Sequence, residues 1–366
     1  MGIKLQAGIF SFKDHEYQME PMSSHARRRC YMKATQGGWS ELEILRMLHA
    51  LIYGWLEKGG LYVFPTTDDV REFSQSRFNS LIMSNPRSIG KYVKTGGKGT
   101  DTVTLKKIRD AYLFLRGATL TQKIGVGIDE RESTKMRGIS VDRVVFDEVD
   151  LMDPLVILKA IGRMGDSKRK EEVYISNPTL PDRGIDTLFQ QSDQRYLHIK
   201  CDCGKYMCPA LEFPNCVKLH HDKTGYFECK KCGKEIRNRT DGIWVPTKRE
   251  NSDYMEGNHW SQLNSARSDP GEILANYIDP PLGNLGDVMR LTLGFPYVSA
   301  EDRLTEGVVY ACCDNNPMKH QSKGPCYMGV DVGKIKHCVV GVRVDNERFQ
   351  ILKVAQLSDW NDIHDL

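Results

Sequence analysis

Lys33-Ala34-Thr35-Gln36-Gly37-Gly38-Trp39-Ser40-Glu41 is the stretch on which the fold turns. It follows a short apolar run, residues 29–32, and opens a long helical pattern over residues 42–56. Strand, Gly-containing loop and helix together form the setting in which backbone N–H groups at a helix start face a phosphate. The common form of such a loop is G-x-x-x-x-G-K-[ST]. Here Lys33 stands at the first Gly position, Gly38 keeps the second, Trp39 replaces the Lys and Ser40 keeps the hydroxyl. The chemistry survives that exchange. Backbone N–H groups from Ala34 to Ser40 can still cradle phosphates, Ser40 can ligate Mg²⁺, and the long stem of Lys33 lets its ammonium reach over the loop. Taken alone, the stretch reads more readily as a plain turn and helix N-cap.

Further along, Arg143-Val144-Val145-Phe146-Asp147-Glu148 is an apolar strand ending in adjacent acids. In this Walker B arrangement the first acid, Asp147, would hold Mg²⁺ through water. The second, Glu148, would orient and deprotonate the attacking water. Acid pairs after strands are common, but loop and pair together point to a site that binds and hydrolyses ATP. Val173-Tyr174-Ile175-Ser176-Asn177-Pro178-Thr179 follows. A strand ending in small polar residues here would lie beside the γ-phosphate and couple its loss to movement, though on its own it is a strand-to-turn ending. Upstream, Phe12-x-x-His15-x-Tyr17-Gln18 offers an aromatic to stack on a base and a Gln amide to read adenine; any amphipathic helix start could look the same.

Outward from these motifs, apolar runs at 29–32, 61–64, 111–115, 143–146 and 172–175 alternate with helical stretches. Val144-Val145-Phe146 is continuous, as in a strand buried on both faces of a parallel sheet. Residues 1–195 therefore read as an α/β layered domain. Residues 196–245 are rich in Cys, Lys and Gly. Residues 246–320 read as a linker or helical subdomain broken at Asp279-Pro280-Pro281 and Phe295-Pro296. Residues 321–366 form a β-rich unit with strands at 327–332, 337–344 and 348–355, turning at Asp345-Asn346.

The 366 residues suggest two or more domains, and the formal charge of +3 is weak evidence for an anionic partner. Basic runs at Arg27-Arg28-Arg29 and Lys168-Arg169-Lys170 could meet phosphate, but most such runs are solvated surface. No window has the length of a membrane span and the N-terminus lacks a signal-peptide core. The expectation is a cytosolic protein whose 11 cysteines are thiols or metal ligands. Cys201-Asp202-Cys203-Gly204 and Cys229-Lys230-Lys231-Cys232-Gly233 look like two knuckles of a zinc ribbon holding one structural Zn²⁺. The first is one residue short of the usual C-x-x-C, and Cys208 could replace one of its members. Otherwise these are reduced cysteines on a hairpin. Cys30, Cys216, Cys312, Cys313, Cys326 and Cys338 read as spare thiols.

The set resembles the large terminase subunit of tailed phages, particularly the lambda-type branch, in which the phosphate-loop Lys also lies early. The likeness runs over about residues 10–355. It includes Leu61-Tyr62-Val63-Phe64-Pro65-Thr66 with Asp69-Val70-Arg71-Glu72-Phe73-Ser74, the strand Phe114-Leu115-Arg116-Gly117-Ala118, and Ser192-Asp193-Gln194-Arg195 leading into a cysteine cluster. The fold it implies is a P-loop NTPase parallel sheet with a zinc-ribbon-like insertion, followed by the opening strands of an RNase H-like nuclease. In that nuclease Asp331, within Tyr327-Met328-Gly329-Val330-Asp331-Val332-Gly333, would be the first ligand of a Mg²⁺ or Mn²⁺ pair. The remaining acids of that fold would lie beyond Leu366, leaving the nuclease incomplete in this chain.

The function it implies is an ATP-driven motor that packages double-stranded viral DNA in the host cytoplasm. The portal protein, a small terminase subunit and further copies of itself would be its partners. Two departures matter. Many terminases carry an Arg just before the loop Gln, where this chain has Thr35, so an Arg from a neighbouring subunit, or Arg137 or Arg116, must serve. Trp39 in place of Lys rests the burden on Lys33. The rival readings are a helicase-type ATPase and a zinc-stabilised DNA-binding assembly protein with an inactive nucleotide site.

Overall fold

The structure, a computed structural model, describes residues 2–6, 8–94, 101–118, 138–299, 310–311, 313, 325–331, 336–345 and 348–357. Arg137, Cys312, Val332, Gly333, Asn346 and the segment 358–366 lie outside the described residues. The chain divides into two units, Met1–Ala300 and Glu301–Leu366.

In the first unit the strands that form the sheet are β1 (Arg28–Lys33), β2 (Gly60–Phe64), β3 (Ala111–Gly117), β4 (Arg143–Asp147), β5 (Glu171–Ser176), β6 (Arg195–Lys200) and β7 (Glu256–Trp260). They pair in parallel in the order β6-β7-β1-β5-β4-β2-β3. The sheet is mixed, not purely parallel. Gly242–Pro246 and Tyr206–Met207 run antiparallel to β6, and Leu105–Ile108 runs antiparallel to β3. All residues of β2, β4 and β5 are buried, as strands covered on both faces must be.

Helix α1 (Trp39–Ile52) follows β1, and Leu42, Ile44, Leu45, Met47, Leu48 and Leu51 pack it on the sheet. The helix stops four residues short of the expected 56, and Gly54 beyond it takes a left-handed φ of 74°. A buried polar link ties α1 to β1: Tyr31 donates to Glu43 at 2.9 Å, and Arg46 Nε lies 3.1 Å from the same carboxylate. With both ends so anchored, the loop between them has little freedom. After β2, Thr66 caps helix α2 (Thr67–Glu72) in a reciprocal capping box with Asp69, an arrangement typically contributing about 1 kcal/mol.

The greatest departure from expectation lies in residues 246–320. Glu256-Gly257-Asn258-His259-Trp260 is no part of a linker; it is β7, wholly buried between β6 and β1. Its polar residues hide it from an apolar pattern. Gly257 meets the sheet where a Cβ would fall 1.9 Å from Ser192 Oγ. The cysteine-rich stretch forms its own three-stranded antiparallel sheet, Val217–Leu219, Gly225–Glu228 and Glu235–Ile236. Leu263, Ile273 and Leu293 share its apolar cluster.

The second unit is an antiparallel meander of β8 (Cys326–Asp331), β9 (Lys336–Arg343) and β10 (Phe349–Leu357). Asp331 ends β8 opposite His337 and is exposed. Among the described residues no helix is long and apolar enough to cross a membrane.

Candidate nucleotide site and cysteine cluster

The carboxyl ends of β1, β4 and β5 lie side by side, because these strands are neighbours in the parallel sheet. Brought there are Lys33, Asp147, Glu148 and Asn177. Lys33 is nearly buried, and its Nζ lies 2.7 Å from Glu148 Oε1 and 3.0 Å from Asn177 Oδ1. Asn177 Nδ2 in turn donates to the Lys33 carbonyl at 2.9 Å. The Asn177 backbone N–H donates to Glu148 Oε2 at 3.2 Å. Glu148 itself sits at φ 61°, ψ 59°, a left-handed conformation unfavourable for a side chain with Cβ. Such local strain is typical of functional positions. Asp150, just beyond, accepts from the Thr179 N–H and hydroxyl and from the Ile185 N–H, so it braces the turn that carries Glu148.

Ser40 and Asp147 meet from opposite elements: Ser40 Oγ donates to Asp147 Oδ1 at 3.0 Å, and Tyr62 OH donates to Oδ2 at 3.1 Å. Burial, reinforced by the nearby Glu148, pushes the Asp147 carboxyl up to about 6, against the opposing influence of Lys33 and the two hydroxyls. A hydroxyl and a carboxylate converging from two elements are hard oxygen donors of the kind Mg²⁺ takes.

The loop divides in two. Ala34 and Thr35 do not face a ligand through their backbone: their N–H groups donate to the carbonyls of Trp260 and Leu291 at 2.9 and 2.8 Å. Strand β7 and the chain near Leu291, which the sequence pattern does not bring here, take up those donors. Among the described residues, no hydrogen bond engages the N–H groups of Gln36, Gly37, Gly38, Trp39 or Ser40, which open at the start of α1. Gly38 has φ 71°, and a Cβ there would lie 2.9 Å from Gln18 Nε2. Gly37 is pressed against Trp260, where a Cβ would lie 2.7 Å from the ring.

Trp39 does not line the site with its side chain. It is buried, stacked on Tyr31 with ring centroids 4.6 Å apart and edge-on to Trp244. The residue at the usual Lys position is therefore a packing residue, which leaves Lys33 as the cation of the loop. Gln18 is also buried, and its Nε2 donates to the Gly37 carbonyl at 2.7 Å, alongside Tyr17 OH at 3.2 Å. Its amide N–H₂ is thus engaged in holding the loop. A cavity of about 420 Å³ opens beside it, lined by Phe10, His15, Gln18, Gly38 and Leu42. Phe12 and Tyr17 do not line it: Tyr17 packs beneath the loop, and Phe12 borders a separate cleft with Met19 and Arg46. Phe10 is the aromatic that lines this cavity, and the sequence pattern did not single it out.

The two cysteine knuckles close on each other. The Sγ atoms of Cys201, Cys203, Cys229 and Cys232 all lie within 4.8 Å of one another. Cys201 and Cys232 are 3.6 Å apart, and Cys203 and Cys229 are 3.7 Å apart. Four thiolates at Zn–S distances of about 2.3 Å define a tetrahedron with edges of about 3.8 Å. In each knuckle the Gly N–H returns to the first Cys carbonyl, with Gly204 at φ 84° and Gly233 at φ 68°. The backbone N–H groups of Cys232 and Lys231 bring the Cys229 thiol down to about 7. Cys208 stands apart, buried at the start of the Pro209–Glu212 helix.

The model of the ATPase domain of the phage terminase large subunit gpA matches residues 6–245. No curated protein matches this chain. Among solved structures, the ATPase domain of the large terminase of Thermus phage P74-26 is 12% identical with a TM-score of 0.43, over 78% of this chain and 97% of that one. The large terminase of another thermophilic bacteriophage is 13% identical with a TM-score of 0.40, over 96% of this chain and 68% of that one. The HK97 bacteriophage large terminase is 12% identical with a TM-score of 0.45, over 97% of this chain; the chain spans 65% of that protein's length. The family match covers well over half of the sequence and contains the loop, Asp147, Glu148 and all four clustered cysteines, so this chain belongs to the phage terminase large subunits of the gpA type and carries their ATPase domain.

Proposed function

We propose that this chain is the ATP-hydrolysing motor of viral DNA packaging, moving double-stranded DNA into a capsid precursor. The observation that carries the reading is the convergence of Lys33, Glu148 and Asn177 beside the Ser40–Asp147 pair, at the carboxyl ends of adjacent parallel strands. ATP lies with its phosphates over the open N–H groups from Gln36 to Ser40 and its base toward Phe10, His15 and the remaining Gln18 oxygen. Ser40 and Asp147 hold the Mg²⁺, which when bound offsets phosphate charge. Lys33 neutralises the terminal phosphate. Glu148, its other oxygen fixed by the Asn177 N–H, orients the attacking water and takes its proton. When the terminal phosphate leaves, Lys33 exchanges a phosphate partner for Glu148 and Asn177. That exchange pulls on the end of β5 and gives hydrolysis a mechanical output.

Cys201, Cys203, Cys229 and Cys232 hold a structural Zn²⁺, because all four tetrahedral positions are filled by protein. Asp331 is the first acid of a metal-dependent nuclease whose sheet opens with β8–β10. The assignment to packaging brings a portal, a small subunit, further copies of the chain and the infected host's cytoplasm as its setting.

The test is displacement of a third strand bound to a DNA duplex. A double-strand translocase strips the third strand with ATP and leaves the duplex paired, and Lys33→Ala does not strip it. Unwinding of the duplex itself would establish the helicase reading instead. ATP turnover with no movement on DNA under packaging conditions would overturn the motor.

A further inference from the structure

Thr35 leaves the loop without an arginine, and the cation that takes its place can be sought among the residues around the site. Arg116 is committed elsewhere: its Nη1 donates to the carbonyls of Thr104 and Leu115 at 2.6 and 2.9 Å. It borders a separate cavity with Thr67, Val70 and Thr104. Arg29, Arg46 and Arg143 are buried and face Glu43 and Glu171.

Arg77 differs from all of these. It lies on Phe73–Phe78, where α2 widens into a π-helical turn, a distortion frequent at functional sites. Phe73 and Phe78 are buried and anchor the turn on either side of it. Arg77 itself is exposed, and among the described residues it makes no hydrogen bond and no ion pair within 4.0 Å.

Arg77 lines the cavity that holds Gln18, Gly38 and Glu41, and also the cavity of about 270 Å³ that holds Ser40, Asp147 and Glu148. A nucleotide with its base in the first and its Mg²⁺-bound phosphates in the second must run its phosphate chain past Arg77. The acids nearby do not claim it. Asp69 is occupied in capping Thr66, Glu72 makes no ion pair with it, and Glu41 feels its charge without contact. A guanidinium without an ion-pair partner, lining the cavities that also hold Gly38 and Ser40, can add its charge to that of Lys33 around a polyphosphate.

We propose that Arg77 contacts the terminal phosphates of bound ATP from its own subunit and stabilises the charge that develops there during hydrolysis. This rests on the ATPase reading above. Its direct signature is tighter binding of a transition-state mimic, not of the ground state.

The experiment measures ATP turnover, and the affinities for Mg²⁺-ADP with and without aluminium fluoride, in the whole chain. Variants are Arg77→Ala, Arg77→Gln and Arg77→Lys, with Arg71→Ala, ion-paired to Asp68 on the same helical run, as the comparison. Removing a charge donor aimed at the transition state typically costs on the order of 10² to 10³ in turnover. Arg77→Ala and Arg77→Gln should lose that much turnover and a similar factor in preference for the fluoride complex, with ADP affinity changed only a few-fold. Arg77→Lys should recover part of both, and Arg71→Ala should match the unsubstituted protein. Turnover and fluoride preference within threefold of the unsubstituted protein in both neutral variants would overturn the assignment. So would restoration of turnover by adding Glu41→Gln to Arg77→Ala, since Arg77 would then only offset Glu41. An unsubstituted protein that binds no Mg²⁺-ATP at all would instead defeat the nucleotide site itself.

Discussion

Replacing Lys33 with Ala isolates the displaced lysine, because Trp39 is buried at the usual position and Lys33 is the loop's lysine. An ammonium about 4 Å from a phosphate charge, at an effective dielectric of about 20, is worth on the order of 4 kcal/mol. At about 1.4 kcal/mol per decade that is close to 10³ in rate, and partial screening at the open mouth of the site lowers it toward 10². The expected loss of turnover is therefore two to three orders of magnitude.

The fold should survive the same change. Lys33 is paired with Glu148, whose side chain is 33% exposed, so water can solvate the carboxylate once its partner is gone. The destabilisation should fall well below the roughly 3–5 kcal/mol of breaking a fully buried pair. The assay is steady-state phosphate release, beside urea unfolding of both proteins. A folded Lys33→Ala protein that turns over ATP within threefold of the original would refute the role. A variant that loses activity only because it unfolds would show that Lys33 is a structural cation.

Two further outcomes are expected. Purified protein should contain one Zn²⁺ per chain, and Cys229→Ser should release it and lower the melting temperature; metal-free protein of unchanged stability would remove the zinc assignment. In a full-length protein carrying this sequence, Asp331→Ala should abolish Mg²⁺- or Mn²⁺-dependent DNA cleavage while ATP turnover stays within twofold. Cleavage that persists without Asp331 would show that β8 does not open a nuclease site.

The sequence makes the site legible where chemistry forces an unusual local pattern. Val144-Val145-Phe146 before two acids reads as a strand covered on both faces, and every residue of β4 is buried. The sequence is silent where polar residues are buried. Strand β7 is one such case. His259 in it finds its partner only inside the protein, with Nε2 3.1 Å from the Gly294 carbonyl. Burial brings its imidazole down to about 4, so it is a neutral core residue that no apolar periodicity would mark.

The roles of Ala34, Thr35 and Trp39 escape a sequence reading for the same reason. The partners that claim them, Trp260, Leu291, Tyr31 and Trp244, are mostly distant in sequence and meet them only through the order of strands in the sheet. The cysteine knuckles are readable despite the short C-x-C. Each is followed by a glycine, Gly204 and Gly233, that takes the positive φ its turn requires.

Hydrolysis of an ATP held by the loop turns, in this mechanism, on Glu148. The most direct test of that role is Glu148→Gln, which keeps size and hydrogen bonding but cannot accept the proton. Binding of fluorescent ATP and single-turnover hydrolysis are measured on the same preparation. Mg²⁺-ATP binding should be unchanged or tighter, with hydrolysis slowed by about 10² to 10⁴. Hydrolysis at the original rate in a variant that still binds ATP would contradict that role.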